Sequence, residues 1–226
     1  MKDNAIVLFM RYPEMGRVKT RLAAEIGEDL AYELYICFLS DIIEGISSLD
    51  ADLIVAGTGD AEARPIDILD NAVLISQRGH DLGKRMSNAF HEVFAMGYAR
   101  AVVIGSDIPG LPPEFIKSAF NRLNEHDIVM GPSADGGYYL VAFNAAAFEE
   151  SVFEGIQWST PRVLAETLEK ADRRGLRAFL LFELEDIDDL DDLKRFYETQ
   201  SPRGSGSHTL RCVDAHKEKI YGKVRL

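Results

Sequence analysis

The chain has 226 residues, 46% of them hydrophobic, which is enough to bury a full core as one domain. A formal charge of −12 argues against broad binding to nucleic acid or anionic membrane, because counterion release requires a basic surface. Two cysteines, Cys37 in a helical pattern and Cys212 in the tail, offer neither a disulfide framework nor a zinc spacing, and no run approaches the ~20 apolar residues of a membrane span. A soluble protein of a reducing cytoplasm is expected, with no signal peptide before the first strand.

That strand is predicted over residues 4–9, where Ala5-Ile6-Val7-Leu8-Phe9 is continuously apolar. Residues 11–21 follow, with Arg11, Arg17, Lys19 and Arg21 against the single acid Glu14. Such a run is ordinarily a solvated helix face. Here it lies in a strand-to-helix loop of an acidic chain, and Gly16 lets backbone N–H groups point at phosphate oxygens, so a bound anion is the better reading. It is not a Walker loop, which needs two glycines and a terminal Lys-Ser/Thr.

Helical periodicity then covers 28–48, a strand is predicted over 52–57, a helix over 61–69 and a strand over 72–76. Gln77 to Arg85 forms a loop into an amphipathic helix over 82–97. Asp81 suits its N-cap, and His80, with only Asp81 beside it, is not expected to act as a catalytic base. The β-branched run Ala101-Val102-Val103-Ile104 predicts a buried strand over 101–105, followed by Gly105-Ser106-Asp107-Ile108-Pro109-Gly110. Asp107 therefore stands at the carboxyl end of a strand, on a loop fixed by Pro109 and Pro112, where a hard cation with oxygen ligands can use it.

A helix over 113–124 and strands over 127–130 and 137–143 bracket Asp135-Gly136-Gly137, a second carboxylate beside backbone that a ligand can approach closely. Tyr138 and Tyr139 read mainly as packing. A helix is predicted over 159–174 with Ser159 or Thr160 at the N-cap and Pro161 at N1, and Trp158 is placed to wall an acceptor site. A strand over 176–180, the acidic run Asp186 to Asp192 and a helix over 189–198 complete the pattern. The βαβ rhythm predicts a mostly parallel sheet in a three-layer α/β/α domain over 1–199, with the basic loop, Asp107 and Asp135-Gly136-Gly137 on one edge. Residues 200–226 begin in a Gly/Ser/Pro stretch and turn basic, which predicts a flexible or loosely docked appendage whose deletion shifts the thermal midpoint by a few degrees at most, roughly 1 kcal/mol.

The segments Phe9 to Leu22, Gly105-Ser106-Asp107, Gly131 to Leu140 and Trp158-Ser159-Thr160, taken together and in this order, resemble a bacterial glycosyltransferase family of the Rossmann-like nucleotide-diphospho-sugar transferase (GT-A) fold. Guanylyltransferases that act on molybdenum cofactor and on 2-phospho-lactate are relatives of the same superfamily. The resemblance implies a nucleotide-phosphate site at Gly16, Arg17, Lys19 and Arg21, and Arg11, which stands where the family often has Lys, and Ser106 are assigned to nucleotide binding beside them. It also implies a base-facing loop that includes Gly83 and a Mg2+ or Mn2+ ligand at Asp107. Asp188 matches the second metal ligand of nucleotidyltransferase relatives, although Asp189 and Leu190 stand where Thr and Pro are usual. Acidic residues at a helix start are also favourable caps, so capping alone would account for Asp188 and Asp189.

The expected function is a metal-dependent transferase using a nucleotide-sugar donor and a small-molecule acceptor. A nucleotidyltransferase joining an NTP to a phosphorylated small molecule is the alternative, and a non-catalytic nucleotide-binding module a third. Lys19, Asp107 and Asp135 are the expected catalytic residues. Asp135, Gly136, Gly137 and Trp158 are assigned to the acceptor, with a loop-holding role for Asp135 equally open.

Overall fold

A seven-stranded sheet organises the computed structural model, which describes residues 3–60, 69, 72–201 and 206–222. Its strands are β1 (Asn4–Arg11), β2 (Asp52–Thr58), β3 (Val73–Ser76), β4 (Arg100–Ile104), β5 (Ile128–Pro132), β6 (Tyr138–Asn144) and β7 (Ala178–Leu180). All seven match predicted strands to within two residues at either end. The order is β3-β2-β1-β4-β6-β5-β7, with β6 alone antiparallel to its neighbours. Parallel ladders join β1 to β2 and β4, β2 to β3, and β5 to β7.

The described helices are α1 (Thr20–Ile26), α2 (Glu28–Ser47), α3 (Leu82–Ala95), α4 (Pro113–Arg122), α5 (Val163–Arg173), α6 (Leu190–Gln200), α7 (His208–Ala215) and α8 (Lys217–Tyr221). They cover both faces of the sheet. Ile6, Leu8 and Met10 join one core with Leu34 and Phe38 of α2, while Ala5, Val7 and Phe9 join the other with Phe90 and Val93 of α3. A strand buried on both faces has no polar side, which is why β1 reads as an unbroken apolar run. After β1 the chain builds outward through β2 and β3, then returns to place β4 on the other side of β1. The crevice beyond the carboxyl ends of β1 and β4 is thus the switch point where open α/β sheets bind ligands. No described helix is long and apolar enough to cross a membrane.

The predicted helix 61–69 falls almost wholly outside the described residues. The helix predicted from Ser159 starts instead at Val163. Ser159 takes φ 61, and the Thr160 hydroxyl donates to the Gln157 carbonyl at 2.7 Å, so these polar residues make a turn of their own before the helix begins.

The larger difference concerns the tail. Residues 206–222, expected to be loosely attached, dock on α2. Asp41 of α2 accepts from the Ser207 hydroxyl (2.6 Å) and from the N–H groups of His208 (2.6 Å) and Thr209 (2.9 Å), which caps α7 from outside. Leu210, Val213 and Ile220 are buried, and Val213 is 0% exposed. The polar onset of the tail hides a short amphipathic helix whose apolar side needs α2 to cover it. The same docking brings together Cys37 and Cys212, whose sequence positions gave no hint of pairing; both are free thiols.

Candidate active site

The loop between β1 and α1 holds Lys19 in an unusual backbone state. Lys19 has φ 46 and ψ 47, and among the described residues only it and Ser159 combine a side chain with positive φ. Each such residue costs of order 1–3 kcal/mol and tends to persist where function requires it. Lys19 and Ser159 each line a cavity at the switch-point crevice.

The Lys19 side chain is 5% exposed. Its ammonium donates to the Asp107 carboxylate and, at 2.6 Å, to the Ile187 carbonyl, and it lies 3.6 Å from Asp188 Oδ1. Arg21 Nη1 stands 3.6 Å from the other oxygen of Asp188. The Ile187 N–H donates to the Asp107 carbonyl at 2.9 Å, so backbone pairing pins the loop after β4 to the loop before α6. The question of capping divides cleanly between neighbours. Asp189 caps α6 by accepting from the N–H groups of Asp191 and Asp192, both at 3.0 Å, and Asp192 accepts from those of Asp188 (2.9 Å) and Asp189 (3.0 Å). The Asp188 carboxylate is left facing Lys19 and Arg21.

Two carboxylates therefore converge on one positive centre, at present the Lys19 ammonium. Oxygen donors from two separate loops around a cation are the set Mg2+ or Mn2+ takes, so Asp107 and Asp188 fit a divalent ion.

These groups line a cavity of about 520 Å³ together with Arg11, Arg17, Arg21 and Ser106. Arg17 and Arg21 are 65% and 78% exposed and stand at its rim. Gly16 turns the loop with φ 73, but it faces Glu28 and does not line the cavity. Gly83 is also elsewhere: a Cβ there would sit 2.5 Å from the Phe153 carbonyl and 2.6 Å from the Trp158 ring, so its role is close packing of α3.

Two supporting residues escaped sequence reading. The Tyr35 hydroxyl donates to the Arg11 carbonyl at 3.0 Å and lies 3.2 Å from the Ser106 hydroxyl, and burial pushes its phenol well above the ordinary value. On a helical wheel Tyr35 is indistinguishable from core. Gln77 donates to the Met10 and Ala56 carbonyls at 3.2 and 2.8 Å, tying the ends of β1 and β2 together.

A second cavity of about 260 Å³ adjoins the first, sharing Leu82, Gly105, Asp107 and Tyr138. Asp135, Gly137, Trp158, Ser133 and Asp186 line it. Asp135 accepts from the Gly137 N–H at 2.8 Å, and Trp158 stands edge-on to Tyr138 with ring centres 6.5 Å apart. Gly136, at φ 88, lies behind this wall, where a Cβ would come within 2.3 Å of the Pro161 carbonyl. Asp186 was not singled out by the sequence. Ser133 donates to it at 3.1 Å, while burial, and then the charges of Asp188 and Asp135, raise its carboxyl above the ordinary carboxylate value. Among the described residues no lysine, arginine or histidine lines this cavity.

Residues 43–160 match the model of a family described as "Uncharacterized protein conserved in bacteria (DUF2064)". The chain belongs to this family. Across nearly its whole length it is also similar to a solved structure from Desulfovibrio desulfuricans G20, a provisionally assigned nucleotide-diphospho-sugar transferase, with 36% identity, 98% of each chain covered and a TM-score of 0.92. A curated relative, 2-phospho-L-lactate guanylyltransferase of Methanocaldococcus jannaschii, is 26% identical over 74% of this chain and 69% of its own. Glucosyl-3-phosphoglycerate synthase of Mycobacterium tuberculosis, solved with Mn2+ and UDP, shares the fold at 16% identity and a TM-score of 0.51, covering 90% of this chain and 79% of its own. This DUF2064 chain is accordingly an enzyme of the transferase class, in the nucleotidyl and nucleotide-sugar group.

Proposed function

We propose that this protein is a divalent-cation-dependent transferase that takes a nucleotide-sugar donor in the larger cavity and a hydroxyl-bearing acceptor in the smaller one. The observation that carries this reading is the division of charge between them. Arg11, Arg17, Lys19 and Arg21 line the first, suiting a diphosphate, whereas Asp135 and Asp186 line the second with no described cation beside them. A phosphorylated acceptor in the second cavity would meet Asp135 and Asp186 beyond the shared Asp107, with no lysine, arginine or histidine among the described lining residues. Sugar or polyol hydroxyls would instead donate to these carboxylates.

Asp107 and Asp188 are the residues that would hold Mg2+ or Mn2+, and the bound ion supplies neutralisation of charge on the leaving phosphate. Arg17 and Arg21 bind phosphate oxygens from the rim. Lys19 keeps the two carboxylates convergent and adds fixed positive charge where the diphosphate departs. Asp186, half-buried and raised, accepts the proton of the acceptor hydroxyl, and Asp135 orients that hydroxyl from the turn it forms with Gly137. The sequence similarity to guanylyltransferases favours a second reading, transfer of a nucleotidyl group from an NTP with loss of pyrophosphate.

The two readings separate in one assay. Thermal shift with Mg2+ or Mn2+ across nucleotide-diphospho-sugars and NTPs identifies the donor, since a ligand at 100 times its Kd adds about 2.7 kcal/mol. Turnover of that donor with neutral polyols and with phosphorylated acids then identifies the reaction. Release of nucleoside diphosphate in the presence of a neutral hydroxyl acceptor is expected. Release of pyrophosphate from an NTP with a phosphorylated acid would establish the second reading instead.

A further inference from the structure

The interface between α2 and α7 carries chemistry that the crevice does not use. The two helices run antiparallel, and each step of four along α2 meets a step of four along α7: Glu33 lies against His216, Cys37 against Cys212, and Asp41 against His208. Residues four apart share one helix face. Glu33 and Cys37 therefore present two donors from one side, and Cys212 and His216 present two from the other.

The contacts within this group are close. His216 Nε2 is 3.2 Å from Glu33 Oε2, and Cys212 Sγ, a Glu33 carboxylate oxygen and a His216 ring nitrogen all lie within 4.8 Å of one another. The Cys212 thiol lies beside both Cys37 and Glu33. Cys212 is 6% exposed, whereas the side chains of His216 and Glu33 are 36% and 54% exposed, so the group is closed toward the core and open toward solvent. The neighbouring group of Asp41, Glu44 and His208 differs, because Asp41 is already committed to capping α7.

We infer that Glu33, Cys37, Cys212 and His216 form a zinc site that clasps the C-terminal helices to α2. Two thiolates, one imidazole and one carboxylate make a closed tetrahedral set for Zn2+, and thiolate ligands disfavour Mg2+ and Ca2+. Zinc bonds of about 2.0–2.3 Å place donor atoms about 3.3–3.8 Å apart, so Glu33, Cys212 and His216, already within 4.8 Å of one another, need to contract by only about 1 Å, and Cys37 joins them from its place beside Cys212. Binding exchanges the two thiol protons for the metal and releases them to solvent. The site is separate from the crevice. It fixes the helix whose Tyr35 holds Arg11 and Ser106 in place.

The full-length protein, reduced and stripped by chelator, is titrated with Co2+ as a spectroscopic substitute for zinc, and then with Zn2+. One equivalent of Co2+ should give the thiolate-to-cobalt charge-transfer band and the intense visible bands of tetrahedral cobalt, and one equivalent of Zn2+ should abolish both. Zn2+ should raise the thermal midpoint of the wild type but not that of Cys37→Ser/Cys212→Ser. His216→Ala, at the solvent-exposed end of α7, should keep the fold and weaken cobalt binding at least tenfold. The inference is overturned by absence of the charge-transfer band in the reduced protein, by its persistence in the double serine variant, or by an equal zinc shift in wild type and variant. A reduced protein that binds no zinc but oxidises to a Cys37–Cys212 disulfide would likewise overturn it and assign the pair to redox chemistry.

Discussion

The N–H of Ile187 donates to the carbonyl of Asp107 across 2.9 Å, joining two loops whose carboxylates, Asp107 and Asp188, both face the Lys19 ammonium. Eighty residues of chain separate the partners, and the sheet brings them together because β4 ends at one and α6 begins beside the other. The bond fixes the backbones, so the carboxylates are held in place before any ligand arrives. Such preorganisation is what makes charge stabilisation effective at a leaving phosphate.

Asp107→Asn removes one of the two carboxylates on that centre. Activity dependent on Mg2+ or Mn2+ should fall by two orders of magnitude or more, of the order seen when one stabilising group is removed from an active site. The fold should survive, with the midpoint down by about 2–4 °C for each ~1 kcal/mol that the weakened hold on Lys19 costs. Steady-state rates and a melting curve on the same preparation check both parts. Wild-type turnover in the variant would remove Asp107 from the mechanism.

Arg17→Ala and Arg21→Ala act at the exposed rim, where neither side chain contributes to the core. A charge-assisted hydrogen bond is worth about 1.5–3 kcal/mol, so nucleoside diphosphate binding should weaken about 10- to 150-fold per substitution. Nucleoside binding should change little. Calorimetry with both ligands makes the comparison, and equal losses would place these arginines away from phosphate.

The raised carboxyl of Asp186 has opposite consequences for stability and rate. Its folded-state pKa lies above the unfolded value, so its contribution to stability is fully present at pH below the unfolded pKa and is lost as pH rises through the folded one. Asp186→Asn, which avoids burying the charge, should therefore melt above the wild type at pH 7, with the gap closing on acidification. It should also lose the acid limb of the kcat/KM profile if Asp186 is the base. Parallel melting and rate profiles against pH test this, and an unchanged rate would move the base to Asp135.

Gly136→Ala tests the wall behind the acceptor cavity. At φ 88, with a Cβ 2.3 Å from a backbone carbonyl, the methyl group has no soft neighbour to displace. Strain plus backbone movement should cost about 2 kcal/mol or more, lowering the midpoint by roughly 4–8 °C. A midpoint within 1 °C of wild type would show that the turn can relax.

Deletion after Gln200 should be more damaging than the tail's composition suggests. Leu210, Val213 and Ile220 are each at most 4% exposed, and burying such side chains is worth about 1.5–3 kcal/mol apiece. A midpoint lower by ~10 °C, or an aggregating product with the α2 face uncovered, is expected from scanning calorimetry and gel filtration. A truncation that melts within a few degrees of wild type would restore the view of the tail as an appendage.

The sequence by itself determined the strands and the edge on which the polar loops gather. A run such as Ala5 to Phe9 is buried on both sides wherever it sits in a parallel sheet, and Pro109 and Pro112 stop the chain just past Asp107. Those are local consequences of side-chain shape and backbone restriction. Tertiary structure alone decided which charges meet. Lys19 reads as a phosphate ligand along the chain, and folding buries its ammonium between Asp107 and Asp188, while Asp186 owes its raised carboxyl first to burial that only the folded chain supplies. Tyr35 and the Cys37–Cys212 contact were hidden for the same reason. A residue on an amphipathic helix declares its face but not its partner, and Ser106 reaches Tyr35, and Cys212 reaches Cys37, from segments more than seventy residues away.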